Sequence, residues 1–139
     1  MSAADDIVAA ARAALGTPFR HQGRTPGVAL DCAGLAIISA QAAGIEVLDQ
    51  SGYPRRAGGA MLEAALDAQP ALERVREAPQ FGDILLMCFA GGDPQHLGIC
   101  AGKTIIHSWA TMRRVVEHDL TADWLRRIVR VYRVRADHV

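Results

Sequence analysis

Apolar and polar positions follow two rhythms along this chain, and the change comes near Gly82. Before it, the spacing is helical. Residues 5–15 (DDIVAAARAAL) predict a helix with Asp5 and Asp6 at its N-terminal end, alanines through its body, and Gly16 with Pro18 to stop it. Residues 16–30 hold Gly16, Pro18, Gly23, Pro26 and Gly27 and read as loop. A second helix is expected from Cys32 to about Ala43, with Asp31 as N-cap and Gly44 placed for a left-handed C-terminal cap. Residues 45–58 read as loop. Residues 59–68 predict a short amphipathic helix with Met61, Leu62, Ala65 and Leu66 on one side.

After Gly82 the runs are short and rich in β-branched or aromatic residues: 82–90, 96–101, 104–109, 113–119 and 127–134. Turn signals separate most of them, notably Gly91-Gly92-Asp93-Pro94 and Gly102-Lys103. Connections this short favour antiparallel pairing, because parallel strands need a longer crossover. In the first run both alternating sets are apolar: Ile84, Leu86 and Cys88 against Leu85, Met87 and Phe89. That predicts a central strand buried on both faces. Helices first and strands later give an α+β fold, with the Cys32 helix packed on a mostly antiparallel sheet.

The chain has 139 residues, one domain's worth, so 1–139 is taken as a single unit. Fifteen basic and fifteen acidic side chains cancel, and nothing sequence-wide draws it to nucleic acid or an anionic membrane. No apolar run approaches the ~20 residues of a membrane span. The N-terminal stretch is acidic where a signal peptide is basic, so synthesis in the cytoplasm without a signal peptide is expected. Cys32, Cys88 and Cys100 include no close pair, and no metal-spacing motif occurs. Neither a disulfide framework nor a metal site is expected.

Cys32 opens a helix behind a glycine-rich loop. There the macrodipole and unpaired backbone N–H groups favour thiolate, the nucleophilic form, and the same N–H groups can hold an oxyanion. A thiolate needs an imidazole, and His96 and His107 lie in adjacent predicted strands around a tight turn. An even hairpin loop puts both on one face, and a two-residue loop at Ala101-Gly102 puts them directly opposite one another. The set is a candidate Cys-His-His triad. Cys88 and Cys100, inside apolar strands, read as core. His21, His118 and His138 read as surface or loop residues.

The run LGTPFRHQGRTPGVALDCAGL, then FGDILLM, PQHLGIC, and IIHSW followed by VVEHDL, resembles the NlpC family of papain-like cell-wall cysteine peptidases over about residues 7–134. The small members associated with phage tails and prophages resemble it most, including in Gly52-Tyr53-Pro54-Arg55. The resemblance implies a papain-like single domain that uses no cofactor. It implies Cys32 as nucleophile, His96 as general base and acid, and His107 as the residue orienting His96. The substrate implied is a stem peptide of peptidoglycan, and phage tail proteins are implied partners that deliver the enzyme to the wall.

In many members a Tyr before the cysteine, and the Asp and Ser flanking it, contact substrate. Here those positions are Phe19, Asp31 and Ala33, so two hydroxyls are missing. Arg20, Arg24, Tyr53 and Arg55 are candidates to grip a substrate carboxylate in their place. Gly82-Asp83 reads as a turn and strand entry. Two other readings stay open: a structural tail component with the same fold and little hydrolytic activity, and a thiol hydrolase or acyltransferase acting on a non-wall substrate.

Overall fold

A computed structural model describes residues 2–49, 59–89 and 94–136. The first helix, α1 (Ala3–Ala13), starts two residues earlier than the pattern predicted because Ser2 caps it. The Ser2 hydroxyl accepts from the Asp5 N–H, and Asp5 reaches back to the Ser2 N–H, a reciprocal box that satisfies two orphan donors. The segment read as loop contains a small hairpin, β1 (Arg24–Thr25) and β2 (Ala29–Leu30). Then come α2 (Cys32–Ala42) and α3 (Gly59–Asp67), both close to their predicted bounds.

The sheet strands are β3 (Leu72–Val75), β4 (Ile84–Cys88), β5 (Pro94–Cys100), β6 (Thr104–Trp109), β7 (Arg114–Asp119) and β8 (Ile128–Val134). A one-turn helix, α4 (Ala122–Leu125), precedes β8. Among the described residues the strand pairings in this sheet are antiparallel, in the order β3-β8-β4-β5-β6-β7. The antiparallel pairing of consecutive strands expected from the short connections covers β4 to β7. The last strand then returns to the far side of β4, which becomes central, and residues 84–87 are buried on both faces. Besides the small hairpin, β3 and α4 escaped the pattern. β3 (LERV) has two charged positions among four, and α4 is too short to show a period.

One sheet face packs on α1 and α2 through Ile99, Ile106 and Val115 against Ile7, Val8, Ala11 and Leu35. Nearer β3 and α3, Ile84, Leu86, Leu97 and Tyr132 meet Ala36 and Leu66. The opposite face carries Leu85, Met87, Cys100, Ile105 and Val131 under Trp124. Asp83 is structural, as its sequence position suggested. Its carboxylate is buried, accepts from the Gln80 N–H, and is held by both arms of the Arg133 fork at 2.9 Å.

Gly34 is the position where α2 and the β1–β2 segment touch. A Cβ there would stand 2.0 Å from the Gly23 carbonyl oxygen, and backbone cannot yield as a side chain can. Gly34→Ala is therefore expected to destabilise the fold by about 1–3 kcal/mol, the range for overpacking a tight site. Urea denaturation measures this, and an unchanged midpoint would show that the hairpin shifts freely against α2.

Candidate active site

Asp31 organises the start of α2. Its Oδ1 accepts from the Gly34 N–H at 2.7 Å, the N-cap bond that sequence predicted. Its Oδ2 accepts from the Gln22 N–H at 2.8 Å, and Oδ1 also meets Arg24 Nη1 at 3.0 Å. Arg24 in turn grips Asp49 through Nε and Nη2. The expected role of Arg24 as a grip for substrate thus gives way to an internal one, holding the 45–49 segment against the cap. Asp31, 4% exposed, has both carboxylate oxygens engaged within the protein.

The sheet opens where Cys32 meets it. β5 and β6 pair only at Ile99–Ile106 and Cys100–Ile105. Beyond that, the next residues bond to the segment leading into α2. The Leu97 N–H donates to the Cys32 sulfur, and the Ser108 hydroxyl donates to the Leu30 carbonyl at 2.7 Å. The helix start is thereby fixed to both strands at their splayed end. Phe19 runs beside Leu30, tied by its N–H to the Arg113 carbonyl.

His96 and His107 come together on one face of the sheet. His96 Nε2 lies 2.6 Å from His107 Nδ1, with both rings buried. The register differs from the predicted one. The hairpin loop is Gly102-Lys103, closed by the Ala101 N–H on the Thr104 carbonyl, with Gly102 at φ 85°. An even loop keeps both residues on one face, but offset by two along the strands rather than directly opposite. Diagonal neighbours remain within reach of aromatic rings.

A third imidazole joins them. Across β6 and β7 the register pairs Ile105 with His118 and His107 with Val116, a second diagonal step. His107 Nε2 lies 2.8 Å from His118 Nε2, and His118 Nδ1 lies 3.0 Å from the Asp119 carbonyl. The surface-or-loop reading of His118 is thus overturned: it is half-buried, on β7, and in hydrogen-bond contact with His107. Trp109 stacks on His107 at 5.2 Å between centroids, and Trp124 meets it edge-on at 5.1 Å. Arg127 lies over Trp124, and Phe89 closes the cluster beside His96.

Burial governs the protonation of the site. It lowers His96 to about 3. It lowers His107 to about 2, with repulsion from His96 and His118 adding to the effect. The Cys32 residue keeps one side open to solvent, but its sulfur is closely surrounded. Loss of hydration, then the Asp31 carboxylate, push the thiol up to about 11, against the N–H groups of Leu97, Ala33 and Cys32. The depressed thiol expected from the helix terminus is therefore reversed, because desolvation outweighs the donors. Among the described residues no hydrogen bond joins Cys32 to His96. At rest the Cys32 thiol and the His96 and His107 rings are thus neutral.

Ala33 is half-buried on the other flank. It lines an apolar cavity of about 90 Å³ between α2 and α3, shared with Leu97, Leu66 and Met61. Arg20 is exposed, two residues ahead of the Asp31-bound Gln22. Tyr53 and Arg55 lie outside the described residues, as does His138. Among the described residues no group of three His, Cys, Asp or Glu side chains could hold a metal, and no helix is long and apolar enough to cross a membrane. The sequence reading missed His118, Ser108, Trp109 and Trp124. His118 left a signal, since it fell within a predicted strand next to that of His107. The others depend on register.

The fold recurs in solved structures. A NlpC/P60 family protein from Bacillus cereus ATCC 10987 superposes with a TM-score of 0.68 at 23% identity, over 94% of this chain and 40% of its own. The peptidoglycan hydrolase RipB from Mycobacterium tuberculosis gives 0.68 at 17% identity, over 96% of this chain and 65% of its own. RipD from the same organism gives 0.59 at 18% identity, over 98% of both chains. It is described as a non-catalytic NlpC/p60 domain protein adapted to peptidoglycan binding. This chain thus spans well under half of the B. cereus protein and about two-thirds of RipB. Among curated proteins no relative matches. The sequence model of the NlpC/P60 family matches residues 16–133, the stretch that holds the helix-terminal cysteine and all three linked histidines, and the chain belongs to that family.

Proposed function

We propose that this chain is a cysteine peptidase that hydrolyses an amide bond in peptidoglycan stem peptides. The observation that carries this reading is the 2.6 Å contact between His96 and His107, one residue along β5 from the Leu97 N–H on the Cys32 sulfur. As His96 takes the thiol proton, Cys32 Sγ bonds to the carbonyl carbon and the carbonyl π pair moves to oxygen. The N–H groups of Cys32 and Ala33, next to the sulfur at the helix start, are placed to meet that oxyanion. Collapse breaks the C–N bond, and His96 returns its proton to the departing amine. Water, deprotonated by His96, then cleaves the thioester and restores the thiol. A buried neutral base suits this sequence, since the thiolate forms only during attack. Catalytic hydrogen bonds often tighten only once substrate is bound.

The resemblance of its motifs to phage-tail-associated members supports delivery to the wall by a tail or tail-like particle, with tail proteins as partners. With Asp31 and Arg24 engaged internally, Arg20 is the described loop arginine best exposed for a substrate carboxylate. The non-catalytic behaviour ascribed to RipD keeps a second reading in view, in which this chain holds a wall peptide without cutting it.

Purified protein incubated with defined muropeptides should release fragments visible by mass spectrometry. Cys32→Ala should remain folded and release none, and His96→Ala should lose turnover by about 100-fold or more. Binding of intact muropeptides by wild type, with no fragments, would favour the second reading. Arg20→Lys should raise KM for a carboxylated stem peptide without changing the melting temperature. Equal KM values would remove Arg20 from the substrate site.

Stability should depend on pH in two limbs. Unfolded histidine binds its proton near 6.5, whereas folded His96 and His107 bind theirs near 3 and 2. Between those values the unfolded state holds more protons, so stability falls as the pH drops below about 6.5, by at most ~1.4 kcal/mol per pH unit for each ring. On the alkaline side the unfolded thiol ionises near 9 and folded Cys32 near 11, so stability falls again above pH 9. Melting temperatures from pH 4 to 10 should peak between these limbs, and Cys32→Ala should shallow the alkaline one.

A further inference from the structure

The three linked imidazoles end on an acceptor that cannot change its role. The Asp119 carbonyl has lone pairs and no proton to give, so His118 Nδ1, 3.0 Å away, must carry the hydrogen. That carbonyl is fixed in direction. Its peptide group is held from the other side by the Leu120 N–H on the Lys103 carbonyl at 2.9 Å, and a planar trans peptide points its C=O opposite to its N–H. When that ring carries a single hydrogen, its second nitrogen is an acceptor: His118 Nε2 is then bare and receives the hydrogen of His107 Nε2 across 2.8 Å. His107 Nδ1 is bare in its turn and receives the hydrogen of His96 Nε2 across 2.6 Å. One lone pair remains at the end of the chain, on His96 Nδ1.

We propose that His118 is a positioning residue that transmits the direction of the Asp119 carbonyl through His107, so that His96 keeps its unprotonated nitrogen at Nδ1 for Cys32. The inference deepens the peptidase reading and rests on it for its catalytic meaning, while the tautomers themselves are independent of turnover. A donor in place of the His118 acceptor reverses the chain. His107 then carries its hydrogen on Nδ1 and donates to His96 Nε2, which puts the remaining hydrogen on Nδ1 and removes the base. An orienting His107 alone lacks this direction, since an imidazole can present either nitrogen protonated.

Two-bond proton–nitrogen NMR spectra of the ¹⁵N-histidine-labelled protein near pH 7.5 read each ring nitrogen directly. Wild type should show His96 and His107 protonated at Nε2 and His118 at Nδ1. His118→Glu, which only accepts, should keep His96 and His107 as in wild type. His118→Lys, which only donates, should move the hydrogen of both rings to Nδ1, and His118→Phe should leave a mixture. If His118→Lys does not fold, the wild-type and His118→Phe spectra decide alone. Wild-type His96 protonated at Nδ1, or an unchanged spectrum in His118→Phe, overturns the proposal.

Turnover of muropeptides adds a second readout. His118→Lys should lower kcat by about 100-fold with KM little changed, and His118→Glu should restore most of it. Equal loss in both variants would mean that His118 only packs, and would overturn the proposal. An inactive wild type with the stated tautomers would remove the peptidase reading and leave the directional chain standing.

Discussion

The carboxylate of Asp31 is the constraint on which the rest of the site depends. A helix that begins inside a protein has backbone N–H groups to satisfy, and Asp31 takes that of Gly34 while also holding the Gln22 N–H and Arg24. One side chain thus fixes where α2 starts, how the preceding loop folds back, and, through Arg24 and Asp49, where the 45–49 segment lies. The contact of Gly34 with the Gly23 carbonyl allows no side chain between them. Cys32 inherits its position from this arrangement. So does its electrostatic environment, because the carboxylate that caps the helix also opposes ionisation of the neighbouring thiol.

The sheet supplies the second half. Its strands β5 and β6 pair for two residues and then part, and the Leu30–Cys32 segment occupies their free donors through Leu97 and Ser108. A fully paired hairpin would take up the Leu97 N–H and leave the helix start without that donor. On the other side, two diagonal offsets of two residues align His96, His107 and His118 across three strands. Trp109 and Trp124 shield His107 from water, and loss of hydration keeps His96 and His107 neutral.

Much of this was written locally. The alternation at 84–89, apolar on both sets, marked β4 as central, and Asp31 before Cys32 marked the capped helix. Both signals lie within a few residues and survive any tertiary context. The β1–β2 hairpin was hidden by its glycines and prolines, which serve tight turns and loops alike. β3 was hidden by its charges, which face solvent at the sheet edge. Among the candidate site residues, Cys32, His96 and His107 were legible because residue type and strand parity are local properties. Phe19 was placed near the cysteine by the family resemblance alone, and Arg20 by lying in the same loop.

The sequence by itself determined the α+β order, the capped cysteine and the shared face of two histidines, since each follows from spacing along one segment. Only the tertiary structure decided the rest. The two-residue offset of His96 and His107 depends on which pair of residues closes the hairpin, a one-residue choice that leaves parity untouched. The inclusion of His118 depends on the register of a third strand. The protonation of Cys32 depends on how closely other segments crowd its sulfur, and there burial outweighs the helix terminus. Local pattern sets direction and phase along a strand, whereas offset between strands and loss of water arise only when distant segments are packed together.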